Sequence, residues 1–290
     1  MIRYLSKSAK IILAVRDSVL QVLVCVLYQK ETQTFTNQLS IMGVIINNIT
    51  MYEAIHRIAD KLDKRQQELV YFVNADCLNK VFIDKDYYNI LINNKMNLPD
   101  GSGISLAAKM LGSAIKENVN GTDMLPHLCR FALRNEYRIY LLGAAPGVAM
   151  RMKTRLELRY PGILICGTSH GYFDFDTQAD NVIEDINVRK TDILLVAFGA
   201  PLQERFIHEN KDRIDAPVMI GVGGLFDFYS GRIARAPLWM RQIGMEWVFR
   251  LLMEPKRMWK RYIIGNPMFL YRVYRWNRMM IQKEHYLRHK

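Results

Sequence analysis

The chain has 290 residues, of which 50% are hydrophobic and 23% charged. That excludes a disordered or low-complexity protein and suffices for one large domain with an appendage. Cys25, Cys77, Cys129 and Cys166 lie apart without CxxC spacing, and the six histidines form no HxxxH pair. Neither a disulfide scaffold nor a metal site is indicated, and the cysteines read as reduced core thiols of a cytosolic protein.

Residues 1–38 stand apart. Ile11–Tyr28 is apolar but is broken by Arg16, Asp17, Ser18 and Gln21, and Val22–Tyr28 is too short to span a bilayer. No small-residue cleavage site follows, which argues against a secretory signal. The expectation is an amphipathic helix, packed on the body or lying on a membrane, and then a polar linker over Glu31–Asn37.

From Ile41 the pattern alternates strand and helix. Gly43–Ile46 is a predicted strand. Thr50 and Glu53 form a capping box ahead of Ala54, Ile55, Ile58, Ala59 and Leu62 at helical spacing. Leu69–Val73 and Met96–Pro99 are predicted strands, the second followed by a helix over Ile104–Leu111. Further apolar runs are Ile139–Leu142, Ile163–Cys166, Ile193–Phe198 and Val218–Val222, with helix-length segments such as Val148–Tyr160 and Gln178–Val188 between them. The fold class is therefore α/β, a mostly parallel sheet with helices on both faces. After Pro237 the pattern is purely helical: Leu238–Met253, Pro255–Ile264, and Pro267 to about Glu284. This divides the chain into an N-terminal extension (1–38), an α/β domain (39–237) and a C-terminal helical appendage (238–290).

The charge is uneven. Thirteen basic residues against three acidic ones lie from Arg235 onward, so most of the net +12 is there, with all four tryptophans. Basic residues interleaved with aromatics suit an anionic membrane surface or a nucleic acid. A solvated helical face is the plainer alternative.

Most predicted strands end in a polar or glycine-rich turn: Asn74-Ala75-Asp76, Asp100-Gly101-Ser102-Gly103, Gly143–Gly147, Gly199-Ala200-Pro201 and Gly221–Gly224. All would lie along one sheet edge, where ligands of open α/β sheets bind. Glycines and helix N-termini there suit an extended ligand carrying phosphates. Gly101-Ser102-Gly103 does not complete the dinucleotide fingerprint, because Leu106 stands at the third glycine, and no Walker A pattern occurs. A carboxylate at Asp100 is placed to take a proton from a second substrate, or to cap the following helix. Other residues read two ways as well. Asn74 could cap a helix, and Gln203 could be an exposed first-turn residue. Asp227 could be a turn residue, and Arg250 could pair with Glu246 on a helix surface. His170 reads as structural, and Asp174-Phe175-Asp176 as an acidic loop rather than a metal motif.

The ordered set of turns resembles the WecG/TagA/CpsF glycosyltransferases. The matching motifs are Asn74-Ala75, Leu98-Pro99-Asp100-Gly101, Gly121-Thr122-Asp123, Leu142-Gly143 with Pro146-Gly147, and His170–Phe173. They continue through Gly199 with Pro201–Glu204, Gly221–Gly224 with Phe226–Phe228, Arg235–Pro237, Glu246-Trp247, Arg250-Leu251, Glu254-Pro255 and Gly265–Pro267. The resemblance runs from about Gly43 to Phe269.

The resemblance implies a Rossmann-like, metal-independent, inverting enzyme without a cofactor. It would move an N-acetylmannosamine-type or related hexose from a UDP-sugar to a polyprenyl-diphosphate-linked acceptor in surface-glycan or exopolysaccharide synthesis. It implies Asp100 as general base, with Asn74, Gln203 and Arg250 completing the catalytic set. Gly101, Gly103, Thr122, Asp123, Gly143, Gly147, Gly199, Gly223, Gly224, Asp227 and Arg257 are the expected substrate-binding positions. The enzyme would be peripheral on the cytoplasmic face of the inner membrane, with an anionic membrane surface as partner, no nucleic acid, and a homo-oligomer left open. Three positions depart from the family pattern: Phe72 where threonine is frequent, and Asn118 and Lys260 where arginine is. The first two bear on which sugar and acceptor are used rather than on the reaction class. An NAD-dependent oxidoreductase and a basic-tailed nucleic-acid-binding protein are the competing classes.

Overall fold

The structure, a computed structural model, describes residues 36–288, with side chains through Gln282. The amphipathic helix expected within residues 1–38 lies outside the described residues.

The described chain opens with a hairpin, β1 (Gln38–Ile41) and β2 (Val44–Asn47), paired antiparallel. Its two-residue turn has Met42 at φ 53° and Gly43 at φ 86°, the geometry whose twist matches two flanking strands. The sequence pattern showed only the second strand. Six strands follow: β3 (Glu68–Val73), β4 (Met96–Pro99), β5 (Arg138–Gly143), β6 (Leu164–Ser169), β7 (Ile193–Ala197) and β8 (Val218–Gly221). They form one sheet in the order β4-β3-β8-β7-β5-β6, parallel throughout.

The helices between them are α1 (Met51–Asp63), α2 (Ala75–Lys80), α3 (Lys85–Asn93), α4 (Ser102–Met110), α5 (Gly121–Arg134), α6 (Val148–Arg159), α7 (Phe175–Val188), α8 (Leu202–Asn210) and α9 (Leu225–Tyr229). The capping box that starts α1 forms as expected, Thr50 accepting from the Glu53 amide and Glu53 from the Thr50 amide.

The strands are apolar on both faces because both are covered. Val70, Phe72, Ile139, Leu141, Val218 and Ile220 pack under α1, α5, α6 and α9. Tyr71, Val73, Tyr140, Leu142 and Met219 face the opposite layer, with α2, α3, α4, α7 and α8. The β4 edge is closed by the hairpin through Asn97, which is fully buried. Its backbone N–H donates to Asn47 Oδ1 at 2.8 Å, and its Nδ2 donates to the carbonyls of Ile45 and Leu91 at 3.0 and 2.8 Å.

The chain leaves β3 into α2 on one face of the sheet and leaves the adjacent β8 into α9 on the other. That divergence opens a crevice at the strand ends, the topological switch point of a Rossmann-like sheet.

The C-terminal segment is α10 (Leu238–Gln242), α11 (Glu246–Met253), α12 (Pro255–Trp259), a π-helical turn (Lys260–Gly265) and α13 (Asn266–Arg288). The single helix expected over Leu238–Met253 is broken at Gly244, whose φ is 74°. The boundary expected between Ile264 and Pro267 is instead a π turn joining α12 to α13. Pro267 has no N–H to donate and its ring crowds the carbonyl four residues back, which a wider turn relieves. α13 is seated on the body: Phe269 and Val273 are fully buried, and Asn79 Nδ2 donates to the Gly265 carbonyl at 2.7 Å. Among the described residues, no helix is long and apolar enough to cross a membrane.

Candidate active site

The crevice is a cleft of about 820 Å³. The body contributes the ends of β3, β4, β7 and β8, and the C-terminal helices close it from the far side. The first turns of α2, α4, α5, α8 and α9 all border it. Helix N-termini converging on one space favour an anion, and those of α4, α8 and α9 carry no side-chain cap. The charged lining reinforces this: Lys80, Arg241, Arg250, Arg257, Lys260, Arg261 and Arg272 against Asp76, Asp100 and Glu246.

Asn74 and Asp100 stand at the carboxyl ends of the neighbouring strands β3 and β4. Asn74 caps α2, its Oδ1 accepting from the amides of Asp76 and Cys77, both at 3.1 Å. That fixes the amide orientation and leaves Nδ2 to donate to Asp100 Oδ2 at 3.1 Å. Asn74 is therefore both a cap and a partner of Asp100. Asp100 is not the cap of α4. The N-cap there is Gly101, at φ 90°, and no side chain caps the helix. The turn needs glycine for that backbone, and the half-buried Asp100 carboxylate is left facing the cleft. Asn118 holds the same turn, accepting from the Gly101 amide at 2.6 Å.

Gln203 is not the exposed first-turn residue that the sequence alone allows. It is 4% exposed, beneath the cleft floor between the turns after β7 and β8. Arg250 reaches in from α11. Its guanidinium lies 5.1 Å over the Phe228 ring, and its Nε is buried without a hydrogen-bond partner. The surface pair with Glu246 that the sequence alone also allows is not formed; Glu246 lies 3.9 Å from Arg235. Burial pushes the Glu246 carboxyl above its ordinary range, against the pull of Arg235 and Arg250.

Of the expected binding positions, Gly101, Gly103, Thr122, Gly199, Gly223, Gly224 and Arg257 line the cleft. Four lie off it. Gly143 packs on the Ala197 backbone, and Gly147 begins α6, both at the end of β5, farther along the sheet. Asp227 pairs with Arg232 at 3.1 Å. Asp123 accepts from Arg241 at 3.2 Å and lies 2.8 Å from Arg235, tying the start of α5 to the C-terminal helices. The charged lining residues that sequence reading passed over include Lys80, Arg241, Arg261 and Arg272. Arg261 alone had an advance signal, helical spacing, since Arg257 and Arg261 stand at i, i+4.

Asp174 caps α7, accepting from the Asp176 amide at 2.9 Å, so the DxD is a helix start outside the cleft lining. His170 is exposed, and its Nδ1 accepts weakly from the Tyr172 amide at 3.3 Å. Phe72 fills the space under Gly121, where an added Cβ would come within 2.9 Å of its ring. Among the described residues, no three His, Cys, Asp or Glu are grouped to hold a metal ion.

The Bacillus subtilis (strain 168) N-acetylglucosaminyldiphosphoundecaprenol N-acetyl-beta-D-mannosaminyltransferase is 33% identical over 200 residues, covering 69% of this chain and 77% of that protein. The enzyme of the same name from Staphylococcus aureus (strain MW2) is 27% identical over 245 residues, covering 84% and 94%. The profile of the glycosyl transferase WecG/TagA/CpsF family matches residues 39–283, the whole α/β sheet together with the helices that close the cleft. The chain belongs to that family and is a glycosyltransferase.

Proposed function

We propose that this enzyme transfers a hexose of the N-acetylmannosamine type or a close relative from a UDP-sugar to a sugar on a polyprenyl diphosphate, with inversion, in surface-glycan or exopolysaccharide synthesis. The observation that carries the reading is the Asn74–Asp100 pair facing a cleft of helix N-termini and cations. In a single displacement the acceptor hydroxyl oxygen attacks the anomeric carbon. Asp100 takes the hydroxyl proton, and UDP departs with the electron pair of the broken bond. Asn74 holds one carboxylate oxygen, leaving the other for the hydroxyl. The diphosphate charge that grows on departure is met by helix N-termini and by Arg250, with Arg257, both of which line the cleft. Gln203 supports the floor between the turns. The activity for which the two relatives are named favours an acceptor of the N-acetylglucosaminyl-diphosphate-lipid kind.

A peripheral position on the cytoplasmic membrane face fits the rim of the cleft. Leu238, Trp239, Ile243, Leu252, Ile263 and Ile264 are more than half exposed on the helices that also carry the basic residues. An apolar rim with cations suits an anionic bilayer surface.

The test is UDP release across a panel of UDP-hexoses, with a short-chain lipid-diphosphate sugar as acceptor. UDP should also protect the protein from thermal unfolding, and NAD should not. Absence of UDP release with every donor, together with no protection by UDP, rejects the reading.

A further inference from the structure

Beneath the cleft floor lies a carboxylate that the displacement does not use. Glu204, next to Gln203 in the first turn of α8, is fully buried. Gln203 Oε1 accepts from two backbone N–H groups, that of Gly199 at 3.2 Å and that of Gly223 at 2.8 Å. These residues belong to the turns after β7 and β8, and both line the cleft. Gln203 Nε2 donates in turn to Glu204 Oε1 at 2.8 Å. Space is tight, since a Cβ on Gly221 would approach Gln203 Nε2 to 2.9 Å. Glu204 Oε2 is buried without a hydrogen-bond partner.

The two ends of an amide are close in size and opposite in polarity. Turned over, the Gln203 NH₂ would face two N–H donors, and both turns would lose their acceptor. Glu204 adds to that preference from the other end of the amide, because Oε1 accepts whether or not Oε2 carries a proton. We propose that Glu204 is a positioning residue: by accepting from Gln203 Nε2 it fixes that amide as a staple joining the Gly199 and Gly223 turns of the cleft floor. The proposal deepens the UDP-sugar reading and rests on it for the ligand.

Two readouts test it, one independent of any ligand. In Glu204→Met the staple loses the acceptor that anchors its far end. Amide hydrogen exchange in peptides covering 199–203 and 221–225 should speed up by about tenfold or more, and UDP should bind about tenfold more weakly well below the unfolding temperature, the scale of one lost buried hydrogen bond. Glu204→Gln keeps an acceptor and should restore both to within about threefold. If Glu204→Met does not fold, Gln203→Glu carries the test. There one proton shared between two adjacent carboxylates rebuilds the bond, so UDP affinity relative to wild type should be near normal at about pH 5.5 and fall by about pH 8. Unchanged exchange in a folded Glu204→Met protein, or a flat relative pH profile for Gln203→Glu, overturns the staple. Faster exchange in Glu204→Met, with no UDP binding by the wild type, would instead leave the staple standing and reject the donor.

Discussion

The amide of Asn74 donates to Asp100 across the ends of two adjacent parallel strands, at 3.1 Å, while its oxygen caps the helix that follows. One residue thus ties the start of α2 to the carboxylate assigned as base. The two duties separate by mutation. Asn74→Asp keeps the cap, because aspartate caps as well as asparagine. It also sets two carboxylates side by side, so one of them holds a proton and the base is compromised. The expected outcome is near-wild-type thermal stability with transfer reduced by about 10²-fold or more. Asn74→Ala should in addition lose about 1 kcal/mol of stability with the cap. Wild-type turnover in Asn74→Asp would show that Asp100 is not the base.

Asp100→Asn should bind UDP as wild type does and lose transfer by roughly 10²–10⁴-fold, the worth of a positioned base. Single-turnover rates with saturating donor, alongside UDP titration, check this. A folded variant with near-normal transfer would falsify the assignment.

Much of this architecture is legible in the sequence. Strand and helix alternate where the apolar period changes, the Thr50–Glu53 box starts α1, and the polar strand ends fall on one edge because all six strands are parallel. What was not legible depends on contacts between distant segments. Gln203 looks like an exposed residue until the turn holding Gly223, twenty residues on, folds over it. Asp123 shows no sign in its own segment of the pairs it makes with Arg235 and Arg241, which arrive from beyond α9. The four tryptophans read as one membrane-facing set, yet only Trp239 and Trp259 are exposed. Trp247 lies 5.9 Å from the Tyr262 ring, and Trp276 packs against the sheet-side core. Helical periodicity places a residue on a face; it does not say which face the rest of the chain will cover.

Arg250 lies over Phe228 and lines the cleft, and its planar guanidinium fork suits a diphosphate at two oxygens. Arg250→Lys keeps the charge and loses that fork, and it should cost about tenfold or more in kcat/KM for the donor. If cations and helix N-termini meet the diphosphate charge unaided, exhaustive EDTA treatment should leave activity intact. Loss with EDTA and recovery with Mg²⁺ or Mn²⁺ would assign that role to a metal.

Burial lifts the Glu204 carboxyl from 4.5 to about 7, opposed by the bond from Gln203 and by Lys80. The groups facing it are Lys80 and Cys77 on α2, Tyr71 on β3 and Tyr87 on α3; the last three are themselves held neutral by burial. The folded protein therefore keeps a proton that the unfolded chain releases between about pH 4.5 and pH 7. Stability from this group is greatest below that window and is lost as pH rises through it, by at most on the order of 3 kcal/mol. Glu204→Gln removes the dependence. The difference in unfolding midpoint between variant and wild type should widen in the variant's favour from about pH 5 to about pH 8. Parallel profiles would mean that Glu204 is ionised in the folded protein at both ends.

The C-terminal helices have a buried face and an exposed one. Phe269 and Val273 are fully buried against α2 and α4, and Arg272 donates to the Asn79 carbonyl at 3.0 Å. Cutting the chain before Arg272 would therefore damage the body as well as any membrane contact. Phe269→Ala alone should cost about 3–5 kcal/mol and loosen the wall that carries Arg250. The outer face is a cleaner target. Trp239, Ile243 and Leu252 are 60%, 61% and 72% exposed, so replacing all three with serine should change stability little. If they enter the bilayer interface, that triple variant should bind anionic liposomes at least about tenfold more weakly, since each buried apolar side chain contributes about 1.5–3 kcal/mol. Its transfer to a water-soluble acceptor should be unchanged. Salt should weaken the wild type's liposome binding, because the basic residues contribute about 1 kcal/mol each and are screened. Undiminished liposome binding by the triple variant would remove the apolar rim from the membrane contact, and lost transfer to the soluble acceptor would show that the rim belongs to the active site instead.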